Sequence, residues 1–147
     1  MTARPRRLAR ADFRHFRPVP TRWMDNDVYG HVNNVVYYSY FDTIVNAHLV
    51  EAGLLDPATS PVTGLVVETG CIYHEPVSFP AVLDGGLAVT ALGRSSVTYR
   101  LAVFREGADL SAAQARYTHV YVERATGSPV PIPDGHRALF ESVRVDE

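Results

Sequence analysis

The segment from Val35 to about Ala52 is apolar at helical spacing, and further apolar residues widen its apolar surface beyond a single stripe. A helix that is apolar on most sides is buried on most sides, so the pattern predicts a central helix. Gly53 stands where helices commonly end, and Asn33 or Asn34 fits the N-terminal cap.

The rest of the chain changes to a period of two, which is typical of strands. An edge strand is predicted at 13–23, because Pro18 and Pro20 cannot donate to a central ladder. Asp84-Gly85-Gly86 predicts a turn, and a short helix is predicted at 136–143. Four further strands are predicted at 65–79, 87–92, 97–104 and 110–123.

The short connections between these strands favour antiparallel hairpins. One apolar helix and one antiparallel sheet of about five strands make an α+β architecture. The sheet would expose its edges, and pairing of an edge strand with a second copy would cover one of them. Length fits a single domain, which we assign to 13–147, preceded by a disordered basic tail at 1–12.

Composition excludes several function classes. A formal net charge of −2 gives no indication of nucleic-acid binding. The sequence contains no apolar run of membrane-spanning length and no secretory signal pattern, so we expect a cytoplasmic protein without a membrane partner. The single cysteine, Cys71, fits a reducing compartment, and its apolar strand indicates a structural thiol. His119 lies in a similar strand and is interpreted as a core histidine. No spacing typical of a metal site is present.

Polar residues crowd the approach to the central helix, where residues 25–34 read DNDVYGHVNN. Helix starts have free backbone N–H groups and a partial positive charge. A carboxylate beside such donors can attack or deprotonate a substrate while the donors hold a developing oxyanion. On residue types alone, Asp25 and Asp27 are explained equally well as loop-forming or capping residues.

This stretch, followed by Tyr37 and Tyr40-Phe41-Asp42, resembles hotdog-fold acyl-CoA thioesterases of the 4-hydroxybenzoyl-CoA thioesterase type. Their signature reads D-x-D-x-x-G-H-x-N-N, then an aromatic residue, then Y-F-[DE]. Weaker matches follow in the same order at 73–77, 95–99 and 126–133. The resemblance covers about 19–139 and implies a hotdog fold, in which an antiparallel sheet wraps around one central helix.

The resemblance also implies the chemistry: hydrolysis of an acyl-CoA to free acid and coenzyme A, without a metal or other cofactor. It makes Asp27 the catalytic carboxylate, as nucleophile or general base, and leaves Asp25 a structural role. Backbone N–H groups at Gly30 and His31 would polarise the thioester carbonyl, and the His31 side chain could act as an acid or orient Asp27. The site would be shared across a homodimer or homotetramer.

Six further residues are candidate substrate contacts: Tyr29, Asn33, Asn34, Tyr37, Arg94 and Arg124. The tyrosines could line an acyl pocket, although core packing explains Tyr37 as well. The asparagines could hold a catalytic water or shape the helix start. The two arginines are candidates for the coenzyme A phosphates, and ordinary exposed strand residues are the alternative.

The sequence leaves other functions open. An acyl-carrier-protein thioester could be the substrate, or a hotdog protein could bind acyl thioesters without turning them over. Hotdog dehydratases and hydratases use a different His/Asp arrangement, which this sequence does not show. Because one fold hosts these functions, only the site can separate them.

Overall fold

The predicted central helix is present as α1, Val36–Glu51, in a computed structural model that describes residues 5–147. Gly53 ends it with φ +74°, and the Leu54 N–H donates to the Leu49 carbonyl across 3.0 Å. The predicted cap at Asn33 or Asn34 is wrong, because Val35 occupies the N-cap position without a side-chain cap. The Asn33 side-chain oxygen instead accepts from the Val35 N–H, turning the chain into the helix.

Five strands and a second helix complete the fold, and their ends differ from the predictions by up to six residues. They are β1 (His15–Pro20), β2 (Val62–Tyr73), β3 (Val82–Leu92), β4 (Ser96–Phe104), β5 (Ala113–Glu123) and α2 (Asp134–Ser142). The strands form one antiparallel sheet in the order β1-β3-β4-β5-β2, which confirms the α+β class. β1 and β2 are therefore the two edges of this sheet.

Two local predictions about β3 are wrong. β2 and β3 do not form a hairpin, since β2 pairs with β5 and β3 lies between β1 and β4. Gly85 and Gly86 lie inside β3 rather than in a turn. A Cβ on Gly85 would come within 2.6 Å of Ile44 Cδ1 on α1, and one on Gly86 within 2.9 Å of the Phe13 ring. Glycine is present here because neighbours approach the strand closely on both faces.

The sheet has a core on each face. Alternate residues of β3, β4 and β5 pack against α1, and those on the other face of β3 and β4 pack against both ends of the chain. β4 is consequently buried on both sides along most of its length. The outer core consists of Leu8, Phe13, Ala88, Ala102 and Phe104, with Val145 against it.

Part of the predicted tail contacts the sheet, within residues 5–12, and residues 1–4 lie outside the described range. Leu8 is buried, and its N–H donates to the Gln114 side chain. Arg10 pairs with Asp84 at 2.9 Å, and its guanidinium lies 4.9 Å from the centre of the Phe104 ring. Apolar burial and these arginine contacts hold a segment that its composition alone indicates to be solvated.

The edge strand β2 exposes an apolar centre. Leu65, Val66 and Val67 are 50%, 49% and 59% exposed, and a bulge between Val66 and Glu68 interrupts the pairing with β5. An exposed apolar edge of this kind is a surface on which another strand can pair. Within residues 5–147, no helix is long and apolar enough to cross a membrane.

Candidate active site

Asp25 anchors the loop that precedes α1. Its side chain is almost fully buried, at 1% exposed, and accepts hydrogen bonds from the Tyr40 hydroxyl at 2.5 Å and the Arg22 backbone N–H at 2.8 Å. The Arg22 guanidinium completes the set at 2.9 Å. Burial opposes ionisation of Asp25, yet the hydrogen bonds from Tyr40 and Arg22 outweigh it and lower the pKa of this carboxyl. Asp25 therefore ties the loop to α1.

Asp27 lies two residues further on, in a tight turn. Its Oδ1 accepts from the Tyr29 N–H at 2.8 Å, and its own N–H donates to the His31 carbonyl at 2.9 Å. The turn requires φ +81° at Gly30, a conformation that glycine adopts without strain. No other described residue hydrogen-bonds the Asp27 side chain, so its second carboxylate oxygen has no partner within residues 5–147. The loop thus presents a half-buried carboxylate with one oxygen available.

The two backbone N–H groups predicted to bind the oxyanion differ in whether they already donate a hydrogen bond within the chain. The Gly30 N–H donates to the Asp27 carbonyl at 3.1 Å, so it already has a partner. The His31 N–H has none among the described residues. Gly30 contributes its turn conformation and a carbonyl that accepts from Ser78 Oγ at 2.8 Å. Of the predicted pair, only His31 has a backbone donor available for a ligand.

The segment after β2 holds this loop in place. The Val32 N–H donates to the Val77 carbonyl at 2.8 Å, and the Phe79 N–H donates to Asn26 Oδ1 at 3.0 Å. Since these bonds lie on both sides of Asp27, they fix the carboxylate relative to the sheet.

A cavity of about 500 Å³ opens beside Asp27 and reaches the first turn of α1. Five of the predicted site residues line it: Asp27, Tyr29, His31, Asn34 and Tyr37. Tyr37 also belongs to the core, where it is 3% exposed. Tyr29 is 83% exposed, which leaves this side of the cavity open in a single chain.

Three predicted site residues lie elsewhere. Asn33 shapes the start of α1 and does not line the cavity. Arg94 is exposed in the connection between β3 and β4. Arg124 lies near the other end of α1, where its guanidinium donates to the Pro57 and Ala58 carbonyls at 2.8 Å and 3.0 Å. Neither arginine is placed to bind a ligand together with Asp27 of the same chain.

The structure adds residues 73–76 to the cavity wall. The Tyr73 hydroxyl donates to the Asn34 carbonyl at 2.9 Å, and its ring meets Tyr37 edge-on, with the ring centres 5.0 Å apart. Glu75 pairs with Arg7 at 3.2 Å. In the sequence, Pro76 indicates this part of the wall, because proline ends a strand. β2 ends before it, and the chain then turns back beside Asp27.

These residues make a site for acid–base or nucleophilic chemistry. Tyrosines line the cavity wall, and its polar groups include Asp27, His31, Asn34, His74 and Glu75. In the part of the chain that the structure describes, no group of histidine, cysteine and acidic residues could hold a metal ion. Since Glu75 is paired with Arg7, the chemistry that this site offers is that of the Asp27 carboxylate with a backbone donor nearby.

A sheet wrapped around a central helix, with a carboxylate cavity reaching the helix start, is the hotdog-like thioesterase architecture expected from the sequence. The chain belongs to the Thioesterase-like superfamily, whose sequence profile matches residues 19–140. No curated protein matches this chain significantly.

Solved structures agree with this assignment. The PA5185 protein from Pseudomonas aeruginosa strain PAO1 is 48% identical, with a TM-score of 0.92 over 95% of this chain and 97% of that one. The PA2801 protein from Pseudomonas aeruginosa is 28% identical, with a TM-score of 0.78 over 84% and 95%. Slr0204, a 1,4-dihydroxy-2-naphthoyl-CoA thioesterase from Synechocystis, is 16% identical with a TM-score of 0.76 over 85% and 93%, a likeness of fold alone.

Proposed function

We propose that this protein hydrolyses acyl-CoA thioesters and that Asp27 is its catalytic carboxylate. The observation that carries the proposal is the Asp27 oxygen that has no partner within residues 5–147 and lies at the 500 Å³ cavity. Membership of the Thioesterase-like superfamily supports it. The Synechocystis protein, whose name describes a coenzyme A thioesterase, also shares the fold.

The chemistry follows from the free carboxylate oxygen. As a nucleophile, Asp27 attacks the thioester carbon, the C–S bond breaks, and coenzyme A leaves as the thiolate; water then hydrolyses the acyl-aspartyl anhydride. As a general base, Asp27 takes a proton from water and that water attacks the same carbon; the C–S bond then breaks, and coenzyme A leaves with the proton as the free thiol. In both routes the His31 N–H stabilises the negative charge that develops on the carbonyl oxygen.

The open side of the cavity supports a site completed by a second copy. Tyr29 and Val28 are 83% and 95% exposed beside the catalytic loop. On the same chain, β2 offers an unpaired apolar edge. We propose a homodimer in which β2 pairs antiparallel with the same strand of the other copy, which covers both features.

An Asp27→Asn variant tests the catalytic proposal. Release of free thiol is measured with a panel of acyl-CoAs for wild type, Asp27→Asn and Asp109→Asn. The control makes the same chemical change at an exposed aspartate outside the cavity. We expect Asp27→Asn to keep its melting temperature and to lose at least about 100-fold in kcat, the ordinary contribution of a catalytic acid or base. Asp109→Asn should match wild type.

Turnover by Asp27→Asn within a few-fold of wild type would remove Asp27 from the mechanism. If wild type hydrolyses neither acyl-CoAs nor an acyl-carrier-protein thioester, the hydrolase proposal is wrong and a binding function takes its place. Incorporation of ¹⁸O from labelled water into the Asp27 side chain during a single turnover would identify the nucleophilic route, because only the anhydride exposes that carboxyl to attack.

A further inference from the structure

A second cavity, of about 380 Å³, lies beside the C-terminal half of α1, between that helix, the start of β2, the end of β5 and α2. Three polar side chains form its buried side: His119, Tyr121 and His136 are 3%, 1% and 9% exposed. Asp42 and Arg124 stand on its exposed side. None of these residues takes part in the chemistry described for Asp27.

Each of the three buried side chains has a polar atom without a hydrogen-bond partner among residues 5–147. The atoms are His119 Nε2, the Tyr121 hydroxyl and His136 Nδ1. The Tyr121 and Tyr99 hydroxyls interact with each other, and neither has a further partner among residues 5–147. Buried polar groups are nearly always paired, and an unpaired one destabilises the fold. Three such atoms around one cavity indicate a ligand that supplies the missing partners.

The three groups are neutral at neutral pH. Burial lowers the pKa of His119 and His136, although the Asp42 charge and a hydrogen bond with the Leu54 backbone respectively oppose the shift. Burial also raises the pKa of Tyr121 far above neutrality. Neutral imidazole and phenol groups bind a neutral oxygen well and give no ion pair, so the complementary ligand group is a hydroxyl or a keto oxygen.

The remaining lining favours an otherwise apolar ligand. Leu49, Leu55 and Val62 supply apolar wall, and Gly64 keeps the interior open. A Cβ on Gly64 would come within 3.2 Å of His119 Nδ1 and 3.5 Å of the Tyr121 ring. A mostly apolar cavity with a few convergent polar groups is typical of small-molecule sites.

The proposed dimer brings this cavity to the active site of the other copy. The exposed part of β2 is centred near Val67. Antiparallel pairing about that centre places the Tyr73 end of one strand beside the Val62 end of the other. Tyr73 belongs to the Asp27 cavity and Val62 to the second cavity, so each active site opens toward the second cavity across the interface.

We propose that the second cavity receives the far end of the acyl group bound at the partner's Asp27, and that His119, Tyr121 and His136 select acyl groups bearing a hydroxyl or keto oxygen. This inference rests on the proposed hydrolase function and on the proposed dimer. It makes these three residues determinants of specificity, outside the reacting atoms.

The test uses straight-chain acyl-CoAs of increasing length, each with and without a terminal hydroxyl. At one chain length we expect wild type to show a kcat/KM at least about fivefold higher for the hydroxylated member, the value of one hydrogen bond. Tyr121→Phe should abolish this preference. Thr98→Val, which removes a buried hydroxyl that bonds Thr118 outside the cavity, should retain it. His119→Asn provides a second variant if Tyr121→Phe does not fold.

Calorimetric binding of the corresponding non-hydrolysable thioether analogues separates the two proposals. Equal affinity for both members of every pair, unchanged in Tyr121→Phe, overturns the specificity inference even if hydrolysis is fast. If wild type hydrolyses no member but binds the hydroxylated analogue more tightly, and Tyr121→Phe loses that difference, the cavity assignment stands and the hydrolase proposal fails.

Discussion

Replacing Asp25 by asparagine should weaken the fold, whereas the same change at Asp27 should not. The Asp25 carboxylate accepts from Arg22 through its backbone and guanidinium and from the Tyr40 hydroxyl, all in a buried setting. The Asp27 carboxylate accepts one bond, from the Tyr29 N–H, and an asparagine oxygen can accept the same bond. The same substitution at two aspartates separated by a single residue is thus expected to lower stability at Asp25 and to leave it unchanged at Asp27.

The magnitude follows from how an asparagine would fit at position 25. Its oxygen keeps the bonds from Tyr40 and the Arg22 N–H, but both weaken when the acceptor loses its charge, by about 1 kcal/mol each. Its amide then faces the Arg22 guanidinium, whose side chain is 58% exposed and can turn into solvent, so that loss adds at most about 1 kcal/mol. We expect about 2–3 kcal/mol in total, or roughly 5–10 °C in melting temperature.

The effect should depend on pH in a defined direction. The pKa of Asp25 is lowered in the folded protein, so its stabilisation is complete above the unfolded pKa of about 3.9 and is lost as the pH falls through the folded value. Urea unfolding followed by circular dichroism at neutral pH should therefore separate wild type from Asp25→Asn. The separation should shrink in acid, where the wild-type carboxyl is protonated.

Two outcomes would refute this reasoning. Equal unfolding midpoints at neutral pH would mean that the buried hydrogen bonds contribute nothing net. A difference that persists unchanged in acid would mean that the asparagine acts through its shape and not through lost charge. Asp27→Asn, measured in parallel, serves as the matched control.

Three further predictions concern the rest of the fold. Gly85→Ala should cost about 1–3 kcal/mol in urea unfolding, because its Cβ meets Ile44, whereas Gly70→Ala, whose Cβ meets nothing, should stay near wild type; equal midpoints would contradict this. Burial raises the pKa of Cys71 to about 11, so a thiol reagent at mildly alkaline pH should label the native protein far more slowly than the urea-unfolded protein, and equal rates would argue against it. Light scattering should give a dimer for wild type and a monomer for Val66→Glu, and a monomeric wild type would refute the proposed interface.

The sequence pattern was sufficient to predict the features that depend on residues close together in the chain. The apolar pattern of α1 predicted both of its ends to within about a residue, and Gly53 ends it as expected. The predicted burial on most sides is wrong, because the buried residues of α1 form a single face. The family resemblance of residues 25–34 gave Asp25 a structural role, and the structure shows Asp25 buried and bonded to Tyr40, whereas one Asp27 oxygen has no partner among residues 5–147. These features depend on residues close together in the sequence.

Features with distant causes were not predictable. Gly85 is a turn signal by residue type, and only the approach of Ile44 from α1 explains its place in a strand. Leu8 sits in a segment rich in arginine, and its burial depends on Phe104, far along the chain. His119 was correctly interpreted as buried, but an unpartnered Nε2 can be seen only once Gly64, Tyr121 and His136 surround the same cavity.

The double burial of β4 gives the domain a gradient of local stability. Its amides are bonded to β3 and β5 and covered on both faces, so they exchange with solvent only when the whole fold opens. The amides of β2 that point away from β5 have no strand to pair with in a single copy and exchange readily. Amide exchange should thus be slowest in the central strand β4. It should be fastest in β2, the strand that pairing with a second chain would protect.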